Sequence, residues 1–179
     1  MKYDISALGN ALVDTQYMVD HDFLDEIGLE ADSMTLASAE EHSPIIDKLQ
    51  SMGVESVSDC GGSATNSLVA ASYYGSKCHH VCRVANDEDG KKYLESLQKA
   101  GVQHIGYSKE DSEMHTGKCL IFVTPDAKRT MSSMLGISAY LGSKDINYDA
   151  INNSKIFYIE GYMAVSYTHL TLPTRAVVW

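Results

Sequence analysis

The sequence predicts an α/β fold, and three observations carry that expectation. Short apolar runs of strand character alternate with segments of helical periodicity. Two glycine-bearing loops, GNALVD (9–14) and GGSATN (61–66), each follow a predicted strand. The runs CLIFV (119–123) and RTMSSM (129–134), joined by the turn residues TPDAK (124–128), form a predicted β-hairpin added to the alternating pattern.

The elements follow in order. Residues 3–8 are β-prone and stop at Gly9, residues 22–27 suit a short helix, and residues 33–36 suit a short strand. The next helix has two starts on offer. Ser38 with Glu41 makes a capping box, while Ser43 before Pro44 gives an N-cap followed by proline at the first helical position. Either start places Ile45, Ile46, Leu49 and Met52 on one face, and Gly53 ends the helix. Residues 54–58 are expected as the strand leading into the glycine pair, and 64–74 as the helix beyond it. A strand over 77–84, a helix over 88–100 closed by Gly101, a short helix over 145–152 and a strand over 155–161 complete the pattern. There is no internal repeat and no low-complexity segment.

Composition narrows the function classes. The chain of 179 residues carries a net charge of -10 with no dense run of Lys or Arg, which argues against nucleic acid and anionic membrane surfaces as partners. It holds no run of about 18 apolar residues, so no membrane span is expected. The opening MKYDISALGN lacks the apolar core of a signal peptide. Cys60, Cys78, Cys82 and Cys119 are scattered, as befits reduced thiols in a cytoplasmic protein.

The two loops are where chemistry is expected, because ligands of α/β sheets gather at the carboxyl ends of strands. Gly61 and Gly62 let the main chain lie against a ligand, and the helix after them presents free N–H groups and the positive end of its dipole. Asn66, in the first helical turn, offers both a donor and an acceptor to hydroxyls. Asp14 can accept hydrogen bonds from two neighbouring sugar hydroxyls at once. The plainer alternative stays open at this level: a tight turn capped by Ser63 or Thr65, and an aspartate that only caps a turn.

Other constellations carry less. On a strand, Cys78 and Cys82 of CHHVC lie roughly 13 Å apart, too far for two sulfurs each about 2.3 Å from one zinc, so buried thiols are expected. ANDEDGKK (85–92) has P-loop spacing, but Ala85 replaces the first glycine and Lys92 the Ser or Thr, leaving a loop and a helix start. Asp87, Glu88 and Asp89 suit that helix N-terminus. Tyr73 and Tyr74 are expected to pack, His104 and His115 lack partner spacing, and Glu160 is either a neighbour of the site or a structural residue.

The segments ALGNALVD, DCGGSATN, RVANDEDG, TGKCLIFVTPDAKRTM, LGIS and FYIEGYM, in that order, resemble the N-terminal half of a ribokinase-like (PfkB) kinase, and GNALVD resembles the adenosine kinase branch more than the sugar kinases. The resemblance spans residues 3 to about 163, with Leu68 standing where the glycine-rich signature expects a small residue and Ala85 where a glycine is expected. It implies a three-layer α/β/α sandwich with a small β-sheet lid, the lid strands falling within 12–36 and 115–134. It also implies that Asp14 and Asn66 hold ribose hydroxyls, that the Gly61–Gly62 backbone lies close to the sugar, that Asn10 is nearby, and that Arg129 on the lid hairpin faces the phosphate region.

The activity implied for an intact enzyme is phosphorylation of the ribose 5′-hydroxyl of a nucleoside such as adenosine, with ATP and Mg2+. The alternatives are a sugar acceptor such as fructose or ribose, or a non-catalytic α/β binding module. The late GAGD-like motif that supplies the catalytic base and anion hole does not occur here. VSYTHLTLPT (165–174) resembles a translated sequencing adapter, so residues 165–179 are expected to be non-native and residues 1–164 to be part of one kinase domain. Such a piece is expected to be inactive alone. Its partner is expected to be a small nucleoside or sugar, and the assembly a monomer or a homodimer through the lid.

Overall fold

The computed structural model describes residues 1–104 and 114–163, so the tail expected to be non-native lies outside the described residues. Nine strands form two sheets among those residues. The first sheet contains β1 (Tyr3–Leu8), β5 (Cys78–Val81), β6 (Gln103–His104) and β9 (Ser154–Ile159), in the order β6-β5-β1-β9 and all parallel. Two helices connect the strands on one side: α3 (Ser63–Tyr73) and α4 (Glu88–Lys99). Their apolar faces meet the sheet in a core that includes Ala7, Ala64, Leu68, Val84, Tyr93 and Leu97. Leu68, larger than its position in the signature resembled, is buried within that core.

The second sheet has the order β3-β8-β7-β2-β4. It consists of β2 (Leu12–Met18), β3 (Met34–Leu36), β4 (Ser56–Gly61), β7 (Gly117–Val123) and β8 (Arg129–Met134). The expected hairpin is present as the antiparallel pair β7–β8, with Phe122 opposite Thr130. One face of β7 sends Leu120 and Phe122 against α1 (His21–Glu26) and α2 (Ala39–Ser51), where Phe23, Leu24 and Leu49 complete a second core. The other face turns Cys119 and Ile121 toward the space between the sheets.

Residues 12–14 of the GNALVD stretch open β2, within the 12–36 span expected to hold lid strands, so the loop after β1 is only Gly9, Asn10 and Ala11. Two expectations change. The strand before the glycine pair runs over Ser56–Gly61 and pairs antiparallel with β2, and therefore belongs to the second sheet. Tyr73 and Tyr74 are exposed rather than packed. The buried stripe of α3 runs through Ala64, Thr65 and Leu68, and residues 73 and 74 fall off that face at the helix end.

Of the two starts for α2, the chain uses Ser38. Its hydroxyl accepts from Glu41 N–H at 3.3 Å, and the Glu41 carboxylate accepts from Ser38 N–H at 2.7 Å. Pro44 consequently lies inside the helix, and Met52, expected on the buried face, is an exposed C-cap. Asp87 caps α4, its carboxylate accepting from Gly90 N–H and Thr116 N–H, both at 2.8 Å. In the first core the Thr65 hydroxyl lies 2.9 Å from His80 Nε2 and also hydrogen-bonds the Tyr93 hydroxyl, joining α3 to β5 and α4. Burial holds the His80 imidazole down at about 4, so this network is neutral at physiological pH.

The competing caps give a direct test. Ser38→Ala is expected to cost about 1 kcal/mol in urea denaturation. Ser43→Ala, at an exposed position inside the helix, is expected to stay within about 0.5 kcal/mol of the parent.

Candidate functional site

The site forms where the chain crosses from one sheet to the other. Strand β1 ends, Gly9, Asn10 and Ala11 turn the chain, and β2 begins at Leu12. Ala11 N–H donates to the Ser138 hydroxyl at 3.0 Å, and that hydroxyl donates back to the Ala11 carbonyl at 3.0 Å. On the adjoining side, β4 ends at Gly61 and α3 starts after Gly62. Gly62 has φ +98°, a backbone conformation that disfavours any side chain, and a Cβ there would collide with the Asn10 carbonyl oxygen. At this point the two loops touch main chain to main chain.

Gly61 has a different reason to be glycine. A Cβ at this position would occupy the space of the Asp14 carboxyl group. Its missing side chain lets Asp14 fold back against β4 while lining the cleft. Partial burial pushes the Asp14 carboxyl up to about 6, with the charge of nearby Asp59 acting in the same direction and Arg129 opposing. Taken alone, this makes the unliganded fold bind an extra proton between about pH 4 and pH 6, so the Asp14 contribution to stability declines as pH rises through that window.

Behind both loops lies Glu160, immediately after β9 and only 2% exposed. One carboxylate oxygen accepts from Asn10 N–H at 2.7 Å and the other from Ala64 N–H, in the first turn of α3, at 2.9 Å. Of the two roles open to it in the sequence, Glu160 fills both: it ties the loops together and borders the cleft.

The cleft measures about 230 Å3. Asn10 lines it from the loop after β1, and the Gly62 backbone and Asn66 from the start of α3. The second sheet contributes Asp14, on β2, on the same face as the aliphatic and thioether side chains of Met34, Leu36, Ile121 and Met131, with Leu135 just past β8. Arg129, at the start of β8, stands on the same cleft with an exposed side chain. Five of the six residues singled out in the sequence thus share one cleft, and Gly61 lies behind Asp14. The buried Asn10 side-chain oxygen has no hydrogen-bond partner among the described residues, an arrangement that a ligand donor would satisfy. The apolar side was not identified from sequence, although its signal is present as every second residue of β7 and β8 on the face opposite Leu120 and Phe122.

A parallel sheet flanked by helices, with a second sheet and a cleft lined by Asn10, Asp14 and Asn66 beside it, makes an α/β protein with a small-molecule-sized site. The sequence profile described as "pfkB family carbohydrate kinase" matches residues 34–176, and the chain belongs to that family. It is 27% identical over 162 residues to adenosine kinase 1 of Arabidopsis thaliana, covering 87% of this chain and 46% of that protein. Among solved structures, a probable sugar kinase from Rhizobium etli superposes with a TM-score of 0.83 at 27% identity, over 92% of this chain and 48% of the other. The adenosine kinase from Sinorhizobium meliloti gives 0.78 at 31% identity, over 90% and 48%. The fold is the ribokinase-like α/β fold, and the chain spans about half the length of the relatives it matches.

The family implies ATP, with Mg2+. No group of three His, Cys, Asp or Glu among the described residues is arranged to hold a metal ion. The 85–92 segment with P-loop spacing is the Asp87-capped start of α4.

Gly61→Ala is expected to destabilise the chain by about 1–3 kcal/mol through overpacking against Asp14. In an Asp14→Ala background that penalty should shrink by at least half. Urea denaturation of the four proteins of this cycle checks it, and strict additivity would contradict the steric account.

Proposed function

We propose that this chain supplies the acceptor site of a nucleoside kinase, with ribose on its polar groups and the base against its apolar ones. The observation that carries this reading is a single cleft that holds both. Asp14 can accept from adjacent hydroxyls, Asn66 and the unpartnered oxygen of Asn10 supply further hydrogen bonds, and the Met34, Leu36 and Met131 side offers flat apolar contact to a heterocycle. Arg129 stands where it can meet the phosphate end of the reaction. The names of the adenosine kinase relatives agree with this assignment.

Phosphoryl transfer from ATP to the 5′-hydroxyl is the activity we assign to the whole protein. The catalytic base and the donor site are not assigned to any residue of this chain. Two observations support that division. The chain matches only about half the length of its relatives, and β9 stands at a sheet edge with Ile156, Phe157, Tyr158 and Ile159 all exposed, an apolar edge suited to further pairing. A sugar acceptor has its own support in the match to the probable sugar kinase. Calorimetric titration of adenosine against ribose separates the two: tighter binding of adenosine supports the nucleoside reading, and equal affinities would remove the role of the apolar side.

The 179-residue chain is expected to bind the acceptor but to give no ATP-dependent turnover, and turnover by the purified chain would overturn the division of labour. Asp14→Ala should weaken adenosine binding by about 1.5–3 kcal/mol, the range for a charged hydrogen bond. Because the Asp14 carboxyl titrates at about 6 and the bound form uses the carboxylate, affinity should fall roughly tenfold between pH 7 and pH 5. The Asp14→Asn variant should show a much flatter profile.

A further inference from the structure

Two methionines stand side by side on the cleft. Met34 on β3 and Met131 on β8 are register partners of a parallel strand pair, and both border the cleft. Met34 is 38% exposed and Met131 is half-buried, so one opening gives access to both side chains. Two-electron oxidants turn an apolar thioether into a polar group, and the thioether needs no deprotonation to react. The aliphatic neighbours Leu36 and Ile121 have no such chemistry. Cys119 shares the cleft, but it is 4% exposed and burial pushes its thiol pKa up, which leaves little reactive thiolate. Arg129, two residues before Met131 on β8, also borders the cleft and is exposed. Residues so spaced share a strand face and lie about 7 Å apart along it, within reach of a long side chain.

We infer that Met34 and Met131 form a paired oxidation site that switches the apolar side of the cleft. The oxidant is a hydroperoxide small enough to enter. The sulfur lone pair attacks the terminal peroxide oxygen, and the O–O bond breaks as the S–O bond forms. The hydroperoxide proton moves to the departing oxygen, which leaves as an alcohol or water. Sulfur loses two electrons and the peroxide gains them. Each sulfoxide puts a strong hydrogen-bond acceptor where an apolar sulfur stood, and the Arg129 guanidinium supplies a donor to it. The oxidised cleft thus loses apolar surface and draws its exposed cation inward. Enzymatic reduction of the sulfoxides reverses the change. The effect on a ligand rests on the acceptor-site reading, whereas the oxidation site itself does not.

The test treats the 179-residue chain with hydrogen peroxide and follows each methionine by peptide-mapping mass spectrometry. The molecule carries its own references: Met163 is 2% exposed, while Met18 and Met52 are exposed on a different groove. Met34 and Met131 should gain oxygen well ahead of Met163. Adenosine added beforehand should slow those two and leave Met18 and Met52 at their former rates. Calorimetry should find adenosine bound at least about tenfold more weakly by the oxidised chain, with a methionine sulfoxide reductase restoring the affinity. The double variant Met34→Leu/Met131→Leu is compared with itself, and its affinity should be the same before and after peroxide. Oxidation of the pair no faster than of Met163, an oxidised chain that keeps its affinity, or an equal loss in the double variant would overturn the proposal. If adenosine does not bind the untreated chain, the acceptor reading fails, and the Arg129 Nε–H resonance decides the oxidation site by itself. A shift on oxidation that is absent from the double variant supports the site, and an unmoved resonance overturns it.

Discussion

One buried carboxylate fixes the geometry on which the rest of the site depends. Glu160 joins three segments far apart in sequence: the loop after β1, the first turn of α3, and the end of β9. A carboxylate away from water is tolerated only when its oxygens are hydrogen-bonded, and here two backbone N–H groups and a helix dipole meet that demand. Those same N–H groups, one in the loop after β1 and one in the first turn of α3, have no partner within a strand or helix. Each side satisfies the other, so the polar loops of the cleft are assembled by the fold.

The second constraint is steric. The two sheets approach each other through backbone crossings where side chains have no room. Gly62 lies against the Asn10 carbonyl, and a Cβ on Gly117 would meet Leu12 Cδ2 at 2.6 Å and the Ala11 carbonyl oxygen at 2.8 Å. The Ser138 hydroxyl holds the same crossing at Ala11 and lies 3.2 Å from the Arg83 carbonyl oxygen. Close approach sets the cleft face of β2, β7 and β8, which carries Asp14 beside Ile121 and Met131, against the carboxamides of Asn10 and Asn66. A cleft that joins polar and apolar groups follows from how the sheets cross.

Local physics made much of this legible in the sequence. The Ser38–Glu41 capping box, the TPDAK turn and the Asp87 cap are short-range features, and each marks a real boundary. Four of the five cleft residues, Asn10, Asp14, Gly62 and Asn66, lie in the stretches GNALVD and GGSATN next to strands, and Arg129 lies on the hairpin. Sheet membership was not legible. Nothing local to Ser56–Gly61 distinguishes a strand of the parallel sheet from one pairing antiparallel with β2, since that choice is made by the partner strand. The two-part role of Glu160 depends on Asn10 and Ala64, 150 and 96 positions away, and so no window of sequence contains it. Tyr73 and Tyr74 show the converse: apolar character suggested packing, while the angular position of the α3 stripe decided exposure.

The Thr65 network has a consequence for where entropy is lost. Thr65 is fully buried, and its hydroxyl is shared by His80 and Tyr93, while the next residue, Asn66, is exposed on the cleft. The turn that aims Asn66 is thus immobilised when the chain folds, before any ligand arrives. Ordering that would otherwise be charged against association has already taken place. Loosening Thr65 would therefore weaken a ligand without removing a single contact to it, and the loss would surface in the entropy of binding while the enthalpy stayed nearly unchanged.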